Sequence, residues 1–153
     1  MEPLKRAYGY IRVSTDEQVD EGLSLDAQRT RIKGYSKAHD LELIKIYADE
    51  GITGRTLERP GLQDLLQQVK GKDGEAIIVY RLSRLSRNTR DLLMLVEDIF
   101  LRGNSRLVSI NEHIDTESAM GRFLLTIMGA MAQMERELIS ERTKAALRIK
   151  RER

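Results

Sequence analysis

The chain has 153 residues, with 26 Lys+Arg against 24 Asp+Glu, a net charge of +2, 41% apolar and 33% charged residues. That is the profile of one globular domain, large enough to bury a core and too apolar to be disordered. Cysteine is absent and His39 and His113 are the only histidines, which excludes disulfides, thiolate nucleophiles and thiolate metal sites and leaves no multi-histidine metal centre to expect.

The N-terminus, M-E-P-L-K-R-A-Y, lacks the apolar stretch of a secretory signal, and no run of about 18 apolar residues offers a membrane span. Residues 7–13 (A-Y-G-Y-I-R-V) are β-branched and aromatic, the profile of a buried strand. Polar residues 14–18 close it. Ser24 is placed to cap a helix that carries Leu25, Ile32 and Tyr35 on one face. Residues 41–47 (L-E-L-I-K-I-Y) alternate as a strand does. A glycine-marked loop follows, and Pro60 suits the first turn of a helix running to Val69. Residues 76–80 (A-I-I-V-Y) form an uninterrupted apolar run, as central parallel strands do. Asn88 or Thr89 caps a helix over 92–101, closed by Gly103, and 105–110 is a fourth strand. From Ser118 the pattern is helical to the end.

Strands alternating with helices predict an α/β fold: an open, mostly parallel sheet of about four or five strands flanked by helices, with a long C-terminal oligomerisation helix. The expected division is a catalytic α/β domain over 1–117 and the helix over 118–153. Ligands of such sheets bind beyond the carboxyl ends of the strands, here residues 14–18, 49–59, 81–90 and 111–116.

Met120, Leu124, Ile127, Met131, Met134 and Leu138 are spaced 4, 3, 4, 3, 4, a heptad seam that Phe123 and Met128 widen. A helix from Ser118 to about Lys150 is roughly 50 Å long at 1.5 Å per residue, more than a domain of this size can cover. The expectation is contact with further copies of the chain. The small net charge is also unevenly placed. From Arg142 to Arg153 six basic residues stand against one acid, a net +5, which leaves −3 for residues 1–141.

Arg81, Arg84, Arg87 and Arg90 recur every third residue just past the apolar 76–80 strand, interleaved with Ser83, Ser86, Asn88 and Thr89. From the residues alone, two readings stand side by side: a solvated helix face, and a phosphate site in which guanidinium forks meet phosphate oxygens. Ser14, two residues after Arg12 at a strand end, is a possible nucleophile, although no histidine lies near it to activate it.

Five segments then carry a resemblance: Y-I-R-V-S-T-D-E-Q, S-L-D-A-Q, L-E-R-P-G-L, R-L-S-R-L-S-R-N and E-R-E-L-I-S-E-R-T. Their order across nearly the whole chain resembles the serine recombinases, the resolvase/invertase family of site-specific DNA recombinases. The wording of G-L-S-L-D-A-Q, L-E-R-P-G-L and N-E-H-I-D-T-E-S-A-M-G is most similar to the large members, the phage integrases and conjugative-transposon recombinases.

The resemblance implies that Ser14 attacks a DNA phosphodiester, giving a 5′-phosphoserine and a free 3′-hydroxyl, with strand exchange and religation that need neither ATP nor metal. It places Arg12, Arg84, Arg87 and Arg59 on active-site arginines, and Tyr10, Gln18 and Gln28 on supporting positions. It implies double-stranded DNA as substrate and a homodimer or tetramer through the seam. It puts the basic end from Arg142 to Arg153, with Arg148 and Lys150, along the DNA backbone, matches Arg142 and Thr143 to a minor-groove approach, and leaves a DNA-reading domain outside this chain. It also implies a cytoplasmic protein of bacterial, phage or mobile-element origin. One departure stands out. Ser83 takes a position where many resolvases carry Asp, and Asp49 is the substitute acid/base candidate. A non-catalytic DNA-binding or dimerisation module and a nuclease-like phosphotransferase are the competing functions.

Overall fold

The computed structural model describes residues 4–13, 24–50, 59–72, 74–86 and 89–152. In chain order these form β1 (Lys5–Val13), α1 (Leu25–Ala38), β2 (Leu41–Glu50), α2 (Pro60–Val69), β3 (Ala76–Val79), a 3-10 turn (Leu82–Arg84), α3 (Thr89–Leu95) continued by a π-helical segment (Val96–Arg102), β4 (Arg106–Ser109), β5 (Ile114–Asp115) and α4 (Ala119–Glu152). The sheet order is β2-β1-β3-β4-β5. β1, β2, β3 and β4 pair in parallel and β5 runs antiparallel to β4. The expected α/β architecture with a mostly parallel sheet is the one found.

β1 lies between β2 and β3, and Ala7 to Val13 are buried without interruption because helices cover both faces. The strand's period of two sorts its side chains. Tyr8 and Tyr10 face one core, with Leu62 and Leu65 of α2, Val96, Phe100 and Leu125. Ala7 and Ile11 face the other, with Ile32 of α1, Ile78 and Val108. Local chemistry sets the helix starts. The Ser24 hydroxyl accepts the Ala27 amide at 3.1 Å, and Pro60 opens α2.

Three local expectations change. β5 is two residues long, too short to leave an alternating pattern. The helix expected over 92–101 begins at Thr89 and loosens into the π-helical segment after Leu95. Gly103 closes it with right-handed backbone (φ −82°), not the left-handed cap expected of glycine. An added Cβ there would stand 2.5 Å from the Ile99 carbonyl, so close approach is what requires the glycine.

α4 has 34 residues. Gly121, Leu125 and Ala132 are buried, and Met128 packs against the core beside them. Met128 therefore belongs to the inner stripe and does not widen the seam. The seam lies on another face: Met120, Leu124, Ile127, Met131 and Met134 are exposed, Met120 to 67%, and Leu138 is half-buried. Arg136 and Glu97 form a two-point ion pair that ties α4 to the π-helical segment.

Candidate active site

From β1 the chain passes to β2 on one side, and β3 then pairs on the other. The carboxyl ends of β1 and β3 thus flank a topological switch point, where open α/β sheets bind ligands. Arg12, next to last in β1, points to the same face as Tyr8 and Tyr10 by strand alternation. Arg59 sits at the N-cap of α2, and Arg84 ends the 3-10 turn after β3. All three side chains are fully buried.

The cluster is organised by main-chain carbonyls of the turn. Arg12 donates from Nε to the Arg84 carbonyl at 3.1 Å and from Nη2 to the Ser83 carbonyl at 2.6 Å. Arg59 Nη1 donates to the same Arg84 carbonyl at 2.9 Å. The Arg59 guanidinium stands 5.4 Å from the centre of the Tyr10 ring. Gln28 on α1 holds the Arg12 main chain at two points: its Nε2 donates to the Arg12 carbonyl at 3.0 Å, and its Oε1 accepts the Arg12 amide at 3.3 Å.

Tyr10 donates its hydroxyl proton to Asp49 Oδ2 at 2.7 Å. Asp49 Oδ1 accepts the Gly61 amide at 2.8 Å, and Oδ2 accepts the Leu62 amide at 3.0 Å. Asp49 thereby supplies the cap that the Arg59 side chain does not give to α2. Gly61 is needed there, since a Cβ would lie 2.6 Å from the Ala48 carbonyl. The clamp changes the reading of Asp49 as an acid/base substitute: its carboxylate is buried and engaged by three donors. Burial pushes the Tyr10 phenol far above its ordinary range; Arg59 opposes this and the Asp49 bond adds to it. Its hydroxyl proton is held on Asp49.

The described arginines of the repeat, Arg81, Arg84 and Arg90, do not form one stripe. Arg84 is buried, Arg81 is half-buried with its guanidinium 5.4 Å from the Tyr80 ring centre, and Arg90 is exposed on α3. The three-residue spacing spans a 3-10 turn and the start of a separate helix, so a common solvated face is not what it encodes. Ser83 contributes its carbonyl, through Arg12. Ser14, Gln18 and Arg87 lie outside the described residues.

Arg142, Thr143, Arg148 and Lys150 are all exposed on the distal part of α4, and the Thr143 hydroxyl donates to the Ile139 carbonyl. Sequence reasoning missed the Asp49 clamp and Glu112, whose carboxylate accepts the Leu82 amide. Neither follows from spacing, because each joins separate elements. Among the described residues no group of three His, Cys, Asp or Glu is placed to hold a metal ion, and no helix is long and apolar enough to cross a membrane.

Arg12, Arg59 and Arg84 thus bring three wholly buried guanidiniums to this end of the sheet. Buried positive charge gathered at one end of the sheet suits an anion with several oxygens.

Residues 7–153 match the resolvase N-terminal domain family. The DNA-invertase of Escherichia phage P1 is 41% identical over 140 residues, which cover 91% of this chain and 67% of the invertase. The transposon Tn917 resolvase of Enterococcus faecalis is 34% identical over 144 residues, covering 94% of this chain and 70% of that protein. Among solved structures, the N-terminal catalytic domain of TP901-1 integrase superposes with a TM-score of 0.76 at 42% identity, covering 88% of this chain and 98% of that domain.

Proposed function

The chain belongs to the serine recombinases of the resolvase/invertase family, which cleave and rejoin DNA, and on that premise we propose that Ser14 is its nucleophile and the buried arginines its catalytic charge. The observation that carries the proposal is the convergence of Arg12, Arg59 and Arg84 at the switch point, each wholly buried and two of them anchored on one carbonyl. Ser14 follows Val13, the last residue of β1, in sequence.

In the proposed step, Ser14 Oγ forms a bond to phosphorus as the bond to the 3′ oxygen breaks. The products are a 5′-phosphoserine and a 3′-hydroxyl. One ester replaces another, so rejoining is the same exchange in reverse and draws on no ATP. The pentacoordinate transition state gathers negative charge on its equatorial oxygens, and fixed guanidiniums stabilise that charge more than they stabilise the ground state. The arginines thus supply the charge a metal ion supplies elsewhere. Arg87 joins this set by its place in the motif. Gln28 and Tyr10 hold the frame through Arg12 and Asp49, and Gln18 is a supporting residue by its motif position.

Residues 1–117 act as the catalytic unit and 118–153 as the helix that joins copies and approaches DNA. The exposed Met-rich seam supports a homodimer or tetramer, and the basic end, with Arg142, Thr143, Arg148 and Lys150, supports contact with the phosphate backbone. The phage and transposon relatives support a mobile-element origin and a cytoplasmic place of work.

The test is a denaturing gel of the protein incubated with nicked or pre-bent site DNA. A covalent protein–DNA adduct is expected with wild type and none with Ser14→Ala, while DNA retention is unchanged and a chelator has no effect. An adduct that survives Ser14→Ala sinks the nucleophile assignment. A wild-type protein that binds DNA and never forms the adduct is the non-catalytic module.

A further inference from the structure

We propose that Glu112 is a positioning residue for the arginine cluster, an inference that rests on the catalytic reading above. Main-chain pairing between β3 and β4 continues beyond both strands. Ile110 donates to the Val79 carbonyl at 3.0 Å and Asn111 to the Tyr80 carbonyl at 2.8 Å. The next residue, Glu112, turns its carboxylate onto the main chain after β3: Oε2 accepts the Leu82 amide at 3.1 Å and Oε1 lies 3.4 Å from it. Leu82 opens the 3-10 turn, so its amide lacks a partner within the turn itself. Ser109, wholly buried at the end of β4, braces the same carboxylate by donating its hydroxyl to Oε1.

The consequence lies one and two residues downstream. The Ser83 and Arg84 carbonyls are the acceptors that hold Arg12, and the Arg84 carbonyl also holds Arg59. A single path therefore runs from Ser109 through Glu112 to the Leu82 amide, along the turn, and into two active-site guanidiniums. A charge-assisted bond at the head of a three-residue turn restricts where its carbonyls point. Glu112 is itself exposed, and an exposed acid ordinarily adds little to global stability. Structural and positioning roles therefore predict different results: the first moves nothing much, and the second moves cleavage while the fold stays intact.

Two measurements test this on Glu112→Ala, Glu112→Gln and Ser109→Ala. In the first, amide hydrogen exchange of this chain is followed by mass spectrometry. Glu112→Ala should speed exchange over residues 82–86 and leave 5–13 and 76–79 unchanged. Glu112→Gln, which keeps a carbonyl oxygen for the Leu82 amide, should restore protection. In the second, adduct formation is timed with the recombinase and nicked site DNA. Glu112→Ala should lower the cleavage rate by about 10-fold to 100-fold, the scale on which small misplacement of a catalytic group acts. DNA retention and the melting temperature should not change, and Glu112→Gln should recover most of the rate. If the alanine variant does not fold, Ser109→Ala carries the test and must show the same direction of loss. Wild-type cleavage by Glu112→Ala, or glutamine as damaging as alanine, overturns the proposal. A wild-type protein that forms no adduct defeats the catalytic reading instead; hydrogen exchange then decides the positioning of the turn by itself.

Discussion

Arg12 and Arg59 share one acceptor. The Arg84 main-chain carbonyl takes Arg12 Nε at 3.1 Å and Arg59 Nη1 at 2.9 Å, so strand β1 and the head of α2 are registered against each other through the turn after β3. The arrangement is thus a property of three separate elements. Its energetic basis is that the Arg12 and Arg59 guanidiniums each have a fixed acceptor to set their orientation before substrate arrives.

Arg59→Lys keeps the charge and loses the fork. A lysine ammonium cannot reproduce the planar fork that bonds the Arg84 carbonyl and lies against the Tyr10 ring. Adduct formation should fall by about 10²-fold, with DNA retention unchanged. Cleavage at the wild-type rate would remove Arg59 from the site.

Asp49 is a clamp between β2, Tyr10 and the head of α2. Asp49→Ala strands a buried hydroxyl and two helix amides, and should destabilise the chain by about 3 kcal/mol or more. Tyr10→Phe removes one of these bonds and should cost about 1 kcal/mol. Urea unfolding of the two variants checks the order; equal losses would mean that Asp49 does not cap α2.

Asp115 and Arg106 should govern part of the acid response. Burial raises the Asp115 pKa, but Arg106, which reaches it with two bonds at 2.8 and 2.7 Å, and the Glu117 amide outweigh this, so the folded-state value falls below its ordinary 3.8. A lowered carboxylate contributes stability that is fully present above its unfolded value and lost as pH falls through the folded one. Melting temperature should therefore drop below about pH 4. Asp115→Asn should be less stable than wild type at neutral pH and should flatten that drop. A variant with the wild-type acid profile would exclude Asp115 as the source.

The two faces of α4 should respond differently to the same charge. Met131 is 43% exposed and Ala132 is 3% exposed. Met131→Asp should lower the sedimentation coefficient and leave the circular dichroism spectrum intact. Ala132→Asp buries a charge against the domain and should lower the melting temperature instead. An unchanged sedimentation coefficient for Met131→Asp would place the proposed interface elsewhere.

Local patterns carried most of the fold. The apolar run at 76–80, the Ser24 cap and Pro60 are short-range signals, and the observed β3, α1 and α2 follow them. β5 and the π-helical segment were not legible. The first is two residues held by pairing to β4, and the second extends α3 in a looser winding whose Glu97 meets Arg136 of α4. The first is too short to leave a period of its own, and the partner of the second is distant in the chain.

The site divides in the same way. Sequence by itself determined the inventory: a serine after a strand, arginines near strand ends, a basic C-terminal helix, and motifs in family order. Residue type and order are enough for that, because they set which chemistry is available. Tertiary structure decided the roles. Arg12 and the turn that receives it are 72 residues apart, and Tyr10 and Asp49 are 39 apart. Only strand order β2-β1-β3 brings them within hydrogen-bond reach. Of the described arginines in the evenly spaced repeat, burial singles out Arg84, and hydrogen bonding turns Asp49 from a candidate acid into a clamp. Periodicity reports which way a side chain faces along its own element; which acceptor it meets depends on how the elements pack.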